Sequence, residues 1–271
     1  MNKYICYTLD LEEDHAGLLH NYYEGLQYLE NLIKIIKENK LNVSFFIQTK
    51  LIEKFPERIE VLRENKFDIH LHSYYHEINR FLNYELERIE ISKSKDIYKS
   101  YFNENPIGYR SPAGIVTSNI YYVLKDLGFK FDSSIFPTIR PGYFNNISKP
   151  LYPYYVDGIL EIPFSMISPL IRIPLSLSYM KLFSTPFFLK KFDSKVIIFD
   201  LHLHDIYKLR NTNLLKPSDR LPYLINRDNG MKILLNFNKK LLNEGYRSSS
   251  ISRVYEYFGR QVNENNNCYS K

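Results

Sequence analysis

The apolar positions change period along the chain, and the changes predict the elements. Tyr4–Leu9 is a continuous apolar run of buried-strand type. Leu26, Leu29, Ile33 and Ile36 then recur at three- and four-residue spacing, which predicts an amphipathic helix. Val43–Ile47 reads as a second strand and Leu51–Asn65 as a second helix, with Pro56 near its start or at a kink. A third strand is expected at Phe67–Leu71, followed by a charged helical stretch from Tyr84 to about Tyr101. Ile107–Tyr109 has the length of a short strand, and Asn119–Leu127 of a helix stopped by Gly128. Lys130–Ser133 and Val196–Leu203 predict further strands, and Met231–Asn243 a late helix before Gly245.

Strand and helix patterns in alternation imply a mostly parallel sheet or barrel clothed by helices. The 271 residues suffice for one large α/β domain, and no linker or internal repeat divides residues 1–271. From Pro137 to about Phe192 the alternation stops. That stretch, rich in Pro, Tyr and Ser, is expected to be an irregular insertion over one face of the barrel, either function-bearing or a packing elaboration.

Composition narrows the class. Hydrophobic residues at 44% and charged residues at 24% exclude a disordered chain. The net charge of +6 permits attraction to anionic glycans or lipid head groups, but Lys and Arg are scattered, so no nucleic-acid partner is expected. Cys6 and Cys268 show no ligand spacing; Cys6 lies in the strand pattern as a small buried hydrophobe, which fits a reducing compartment. The written N-terminus runs straight into a strand, and no run of 18 apolar residues occurs. The nearest approach, Ile159 to Phe192, is interrupted by Pro163, Pro169, Arg172, Pro174 and Pro186. A cytoplasmic protein with peripheral membrane contact at most is the expectation, and the oligomeric state stays open.

Five of the seven histidines fall in two clusters at the ends of predicted strands. In His70-Leu71-His72-Ser73-Tyr74-Tyr75-His76, the residues His72 and His76 are four apart, so one helical turn or a tight turn after the strand aims both rings at one ion. In Asp200-Leu201-His202-Leu203-His204-Asp205, His202 and His204 share a face if the strand continues, which suits a catalytic acid and its neighbour. Asp10-Leu11-Glu12-Glu13-Asp14 follows the first strand; it is either a solvated turn or a source of a hard metal ligand and a general base. Arg110-Ser111-Pro112 places a guanidinium on the rim, either to hold a carboxylate ionised and oriented or as a structural ion pair.

Taken in order, these pieces resemble the NodB-type polysaccharide deacetylases, the carbohydrate esterase 4 family. The family's Asp-containing first motif is matched by Thr8-Leu9-Asp10-Leu11-Glu12, its H-x-x-x-H by His72 to His76, its R-x-P by Arg110-Ser111-Pro112, and its late histidine strand by Leu201-His202-Leu203-His204. Val43–Ile47 is similar to its T-F-F strand and Leu127–Pro137 to its fourth motif. Glu161-Ile162-Pro163-Phe164-Ser165 resembles a segment of the exopolysaccharide-associated subgroup.

The resemblance implies a distorted (β/α) barrel binding one divalent ion, usually Zn2+ with Co2+ as another candidate, through an Asp-His-His type triad. His72 and His76 match its histidines. Asp10 matches the catalytic base, oriented by Arg110, and a backbone N–H near Tyr109 to Ser111 would face the oxyanion. Glu12 stands where the family has a metal-binding carboxylate, one methylene longer than Asp, and Asp14 is the alternative. The acid is His202 or His204, depending on which form of the last motif governs, with Asp205 standing for a glutamate of the subgroup. The implied reaction removes an N-acetyl group from an amino sugar of a surface-polysaccharide or glycolipid precursor. An amidohydrolase of a small non-sugar amide and a catalytically silent glycan-binding barrel are the other readings.

Overall fold

A computed structural model describes residues 3–76, 83–168, 170, 172–182 and 194–268, with side chains through 259. Of the apolar stretch Ile159 to Phe192, Pro169, Ile171 and residues 183–192, Pro186 among them, lie outside the described residues, as does the Cys268 side chain.

The first strand, β1 (Lys3–Leu11), is the hub of a curled, mostly parallel sheet. Outward from it on one side run β2 (Val43–Ile47), β3 (Asp68–Leu71), β4 (Gly108–Tyr109), β5 (Phe131–Asp132) and β9 (Ile159–Glu161), all parallel. On its other side lies β10 (Val196–His202), also parallel. Antiparallel β8 (Tyr154–Val156) finishes the far edge, and β11 (Tyr246–Ser248) pairs with the start of β1. Between β9 and β10 the backbone at Ser165 and Leu175 bridges the gap irregularly: Ser165 N donates to Ile198 O at 3.1 Å and Asp200 N to Leu175 O at 3.2 Å. The (β/α) barrel is therefore distorted on this side, and helices cover its outside.

Alternation along the strands divides the core in two. Ile5, Tyr7, Leu9, Leu11, Phe45, Phe199 and Leu201 face the helices. Cys6, Phe46, Phe131, Ile162, Phe164 and Ile198 face inward and fill the lower barrel with hydrocarbon. Ile251 and Val254 of α10 (Ile251–Cys268) close that lower end. Ser252 N and Oγ donate to the Asp68 carboxylate at 3.2 and 2.6 Å, so Asp68 binds an orphan amide of the α10 start. The upper interior, on the same alternation, receives Thr8, Asp10, His72, Asp200 and His202.

Several boundaries differ from expectation. Pro56 at the first position of a helix splits the expected Leu51–Asn65 helix into α2 (Lys50–Lys54) and α3 (Pro56–Glu64). The last expected strand stops at His202 rather than Leu203, because α7 (Leu203–Ile206) begins there. The 137–192 stretch is not wholly an excursion, since β9 takes a place in the main sheet. The helices α8 (Pro217–Leu224) and α10 were not expected, although Ile251, Val254, Tyr255 and Phe258 have helical spacing.

One buried pair in this sheet has a pH signature. Asp132 and Glu161 are register partners on β5 and β9, and neither is exposed. Ser134 Oγ donates to Asp132 at 2.7 Å, while Tyr121 Oη and Ile135 N donate to Glu161 at 3.2 and 3.0 Å. Burial, and then the Asp132 charge, pushes Glu161 well above the carboxylate range, so the pair holds a proton in common. A raised native value stabilises the fold fully below the unfolded value near 4.5 and progressively less as pH rises above it. Glu161→Gln keeps a hydrogen in that place at every pH. Urea unfolding from about pH 5 to 8 is expected to show wild-type stability falling by up to about 1.4 kcal/mol per unit, and the variant falling less steeply. Parallel profiles contradict the shared proton.

Candidate active site

Register brings the polar positions together. Across β1 and β10, Thr8 lies beside Asp200 and Asp10 beside His202. His72 N donates to Ile47 O and Arg110 N to Leu71 O, so both residues stand one step beyond their strands at the same rim.

Arg110 is 1% exposed, its guanidinium between the rings of Phe46 (3.9 Å) and Phe164 (4.3 Å). Nη1 donates to Asp10 Oδ1 at 2.5 Å and stands 3.5 Å from Asp200 Oδ1. Nη2 donates to Thr8 Oγ1 and Ser133 Oγ at 3.1 and 3.2 Å, and Nε to Ser133 O at 2.9 Å. Such an engaged, desolvated guanidinium fixes the orientation of Asp10 as no surface pair does.

His72 Nδ1 is 2.9 Å from Arg110 O. A carbonyl only accepts, so that nitrogen carries the hydrogen and Nε2 is left to face the cavity with its lone pair when neutral. Nε2 lies 3.1 Å from Glu12 Oε2, and His76 Nε2 lies 2.6 Å from the same oxygen. Residues 72–76 are a bend, not a helix, with Ser73 at φ 63°, so the tight-turn form of the H-x-x-x-H pair is the one adopted. Burial opposes the Glu12 charge, but His76 and His72 outweigh it and hold Glu12 well below its usual range. Burial likewise opposes a charge on His76, and Glu12 reverses that and raises it.

The acidic run is not a solvated turn: Asp10, Glu12, Glu13 and Asp14 are all buried. Glu13 accepts from Lys50 Nζ at 3.0 Å and Tyr23 Oη at 2.9 Å. Asp14 accepts from Glu24 N (2.5 Å), Gly25 N (2.9 Å) and Asn211 Nδ2 (2.5 Å), which binds it to the turn before α1 (Leu29–Glu38) and away from the histidines. Only Glu12 of the expected alternatives reaches His72 and His76.

His202 Nε2 lies 3.3 Å from Glu12 Oε1 and 3.9 Å from Asp10 Oδ2. Its Nδ1 lies 3.6 Å from Asp205 Oδ2 and 3.8 Å from Asp200 Oδ2. Burial works against its charge, but Asp200, Asp205 and Glu12 outweigh burial and hold the ring well above its ordinary value. His204 stacks on His202 with ring centres 4.9 Å apart and on His15 at 5.4 Å. Burial, and the neighbouring His202, push it down to about 3 and keep it neutral. Expectation placed the two histidines on one strand face; a helical turn after His202 brings them together instead.

Two expectations change in detail. The backbone N–H groups of Arg110 and Ser111 are committed to Leu71 O and to Ser134 Oγ (2.8 Å), so neither is free to face an oxyanion. Asp200, not singled out from sequence, completes the group; its alternation with His202 on an inward strand face is the signal that finds it. Burial, and then Asp10, push Asp200 up to about 7 against the pull of His202 and Arg110.

The ligand-type atoms of Glu12, His72 and His76 all lie within 4.8 Å of one another. Glu12 Oε1 is buried without a hydrogen-bond partner among the described residues. A carboxylate and two imidazoles presenting lone pairs to one point, with a buried oxygen unsatisfied, suit a divalent ion of the zinc type. A cavity of 410 Å³ opens above, lined at its floor by Asp10, Glu12, His76, Asp200 and His202.

Comparisons with known proteins bear on the family profile and the fold. Residues 16–131 match the sequence profile of the family described as Polysaccharide deacetylase. A peptidoglycan deacetylase of Helicobacter pylori is 24% identical over 169 residues, 59% of this chain. The match spans 54% of that relative's length. A Mycobacterium smegmatis structure, described provisionally as a polysaccharide deacetylase, superposes with a TM-score of 0.68 at 16% identity, covering 97% of this chain and 92% of that one. A family 4 carbohydrate esterase from Streptomyces lividans, in complex with acetate, gives 0.53 at 13% identity, with coverage of 92% and 93%. At these identities the structures show the fold, which is that of the NodB deacetylases.

The loop between β1 and α1 yields a prediction. Gly17 has φ +75°, and a Cβ there would lie 2.2 Å from His76 Nδ1. Gly17→Ala is expected to cost about 1–2 kcal/mol in the left-handed backbone alone. It is also expected to displace the His76 ring, read as a shifted His76 imidazole resonance in NMR. An unmoved resonance contradicts the packing of Gly17 on His76.

Proposed function

Since residues 16–131 match the polysaccharide deacetylase family and the sheet takes the NodB-type fold, we propose that this chain is a metal-dependent hydrolase removing N-acetyl groups from an amino sugar. The observation that carries the reading is Glu12 Oε2 set between His72 Nε2 and His76 Nε2, with the Arg110-bound carboxylate of Asp10 beside them. Surface-glycan or glycolipid precursors are the proposed substrates.

Glu12, His72 and His76 would hold the ion, most suitably Zn2+. When bound, a divalent ion supplies Lewis-acid polarisation of an amide carbonyl and acidifies water. Asp10, kept oriented by Arg110, accepts the proton of the attacking water as general base. His202, nearest of the remaining histidines to Asp10 and Glu12, carries the proton delivered to the leaving nitrogen. Asp205 fixes the turn that bears it: its Oδ2 accepts from His202 N at 3.2 Å, and Ser178 Oγ binds the same carboxylate at 2.7 Å. His204 supports the His202 ring from the side. Carbon–nitrogen cleavage then yields acetate and a free amine.

Metal content after purification, paired with acetate release from a panel of N-acetylhexosamines, tests this. One equivalent of divalent ion and acetate production are expected; an inert protein after zinc or cobalt addition contradicts it, and turnover only of small cyclic amides favours an amidohydrolase. His72→Ala is expected to abolish metal binding. Asp10→Asn is expected to keep the metal and lose roughly 10²–10⁴-fold in turnover. Metal loss in Asp10→Asn shows that ligand and base have been exchanged. His202→Ala is expected to fall by a comparable factor and His204→Ala by far less; near-normal rates in both remove the acid assignment.

A further inference from the structure

The cavity above the floor is electrically divided. Its acidic lining residues, Asp10, Glu12 and Asp200, all belong to the floor, where Arg110 and the histidines face them. The basic residues of the wall are Arg140 and Arg172.

Arg140 belongs to a hairpin made of β6 (Ile139–Arg140) and β7 (Phe144–Asn145), and Arg172 reaches the segment just before it. Its turn is Arg140-Pro141-Gly142-Tyr143, with Tyr143 N donating to Arg140 O at 2.9 Å and Gly142 at φ +77°. Proline followed by a residue of positive φ is the type II pattern, which sets the turn rigidly. The Arg140 guanidinium lies 4.0 Å from the Tyr143 ring centre, so this exposed cation is placed by its own turn. Its charge is felt across the cavity at Tyr223 of α8, where it opposes the rise that burial causes. Arg172 Nη1 donates to Pro137 O at 3.1 Å, at the root of the same hairpin. Two residues with planar guanidiniums lining one cavity match the geometry of carboxylate and phosphate oxygens better than that of sugar hydroxyls. A volume of 410 Å³ admits one sugar with a substituent.

We propose that the substrate is an N-acetylated sugar bearing an anionic group, phosphate or carboxylate, seated at Arg140 and Arg172 while its acetamide faces the floor. The placement of the acetamide rests on the deacetylase reading; the anion subsite does not.

Calorimetric titration of chelator-treated protein with N-acetylglucosamine, its 1-phosphate and N-acetylmuramic acid tests the subsite without turnover. At least tenfold tighter binding of one or both anionic sugars is expected, weakening at high salt. The double variant Arg140→Gln/Arg172→Gln, shown to be folded by its NMR spectrum, is expected to lose that preference. Preference for the phosphate alone, for the carboxylate alone, or for both identifies the group. Equal affinity for neutral and anionic sugars, a preference that survives the double variant, or no measurable binding overturns the subsite. Acetate release from a neutral N-acetylglucosamine oligomer, measured separately, then tells whether the deacetylase reading stands without it.

Discussion

Four carboxylates, Asp10, Glu12, Asp200 and Asp205, are taken out of water at one end of the barrel, and the surrounding structure balances that charge. Among the described residues, Arg110 is the permanent cation within this group, and it reaches Asp10 and Asp200. Lys181 approaches Asp205 at 3.9 Å, but burial lowers its own affinity for a proton. The rest of the balance falls to His72, His76 and His202, each of which faces a carboxylate. Protons on His76 and His202, or a divalent ion at the site proposed above, would serve the same electrostatic end. The same carboxylates raise the proton affinity of His76 and His202.

The parallel sheet makes such a site possible. Alternation puts Cys6, Thr8 and Asp10 on one inward column of β1, and Ile198, Asp200 and His202 on the adjacent column of β10. Each column runs from hydrocarbon at the lower end to charge at the rim. The lower end packs against Ile251 and Val254 and provides the rigidity that holds the rim groups in place.

Much of this was legible in the sequence because the signals are local. The strand at Val43–Ile47 falls where its apolar run lies, and the H-x-x-x-H spacing brings His72 and His76 to one oxygen. What escaped depends on partners distant in the chain. Asp14 is removed from the ligand alternatives by the amides of Glu24 and Gly25 and by Asn211, which no spacing near residue 14 reveals. The amides of Arg110 and Ser111 are consumed by Leu71 and Ser134 through sheet register. The 137–192 stretch lacks period because it mixes a sheet strand, β9, with a hairpin on the cavity wall. Its composition shows irregularity but not which part lines the site.

We propose one ion site at Glu12, His72 and His76, beside the Arg110-bound carboxylate of Asp10. Anomalous diffraction at the zinc edge from crystals grown with zinc tests it most directly. A single strong peak is expected within bonding distance of a Glu12 carboxylate oxygen, His72 Nε2 and His76 Nε2, with Asp10 still bound to Arg110. A peak held instead by Asp10 and Asp200, or no ordered ion among these side chains, would contradict it.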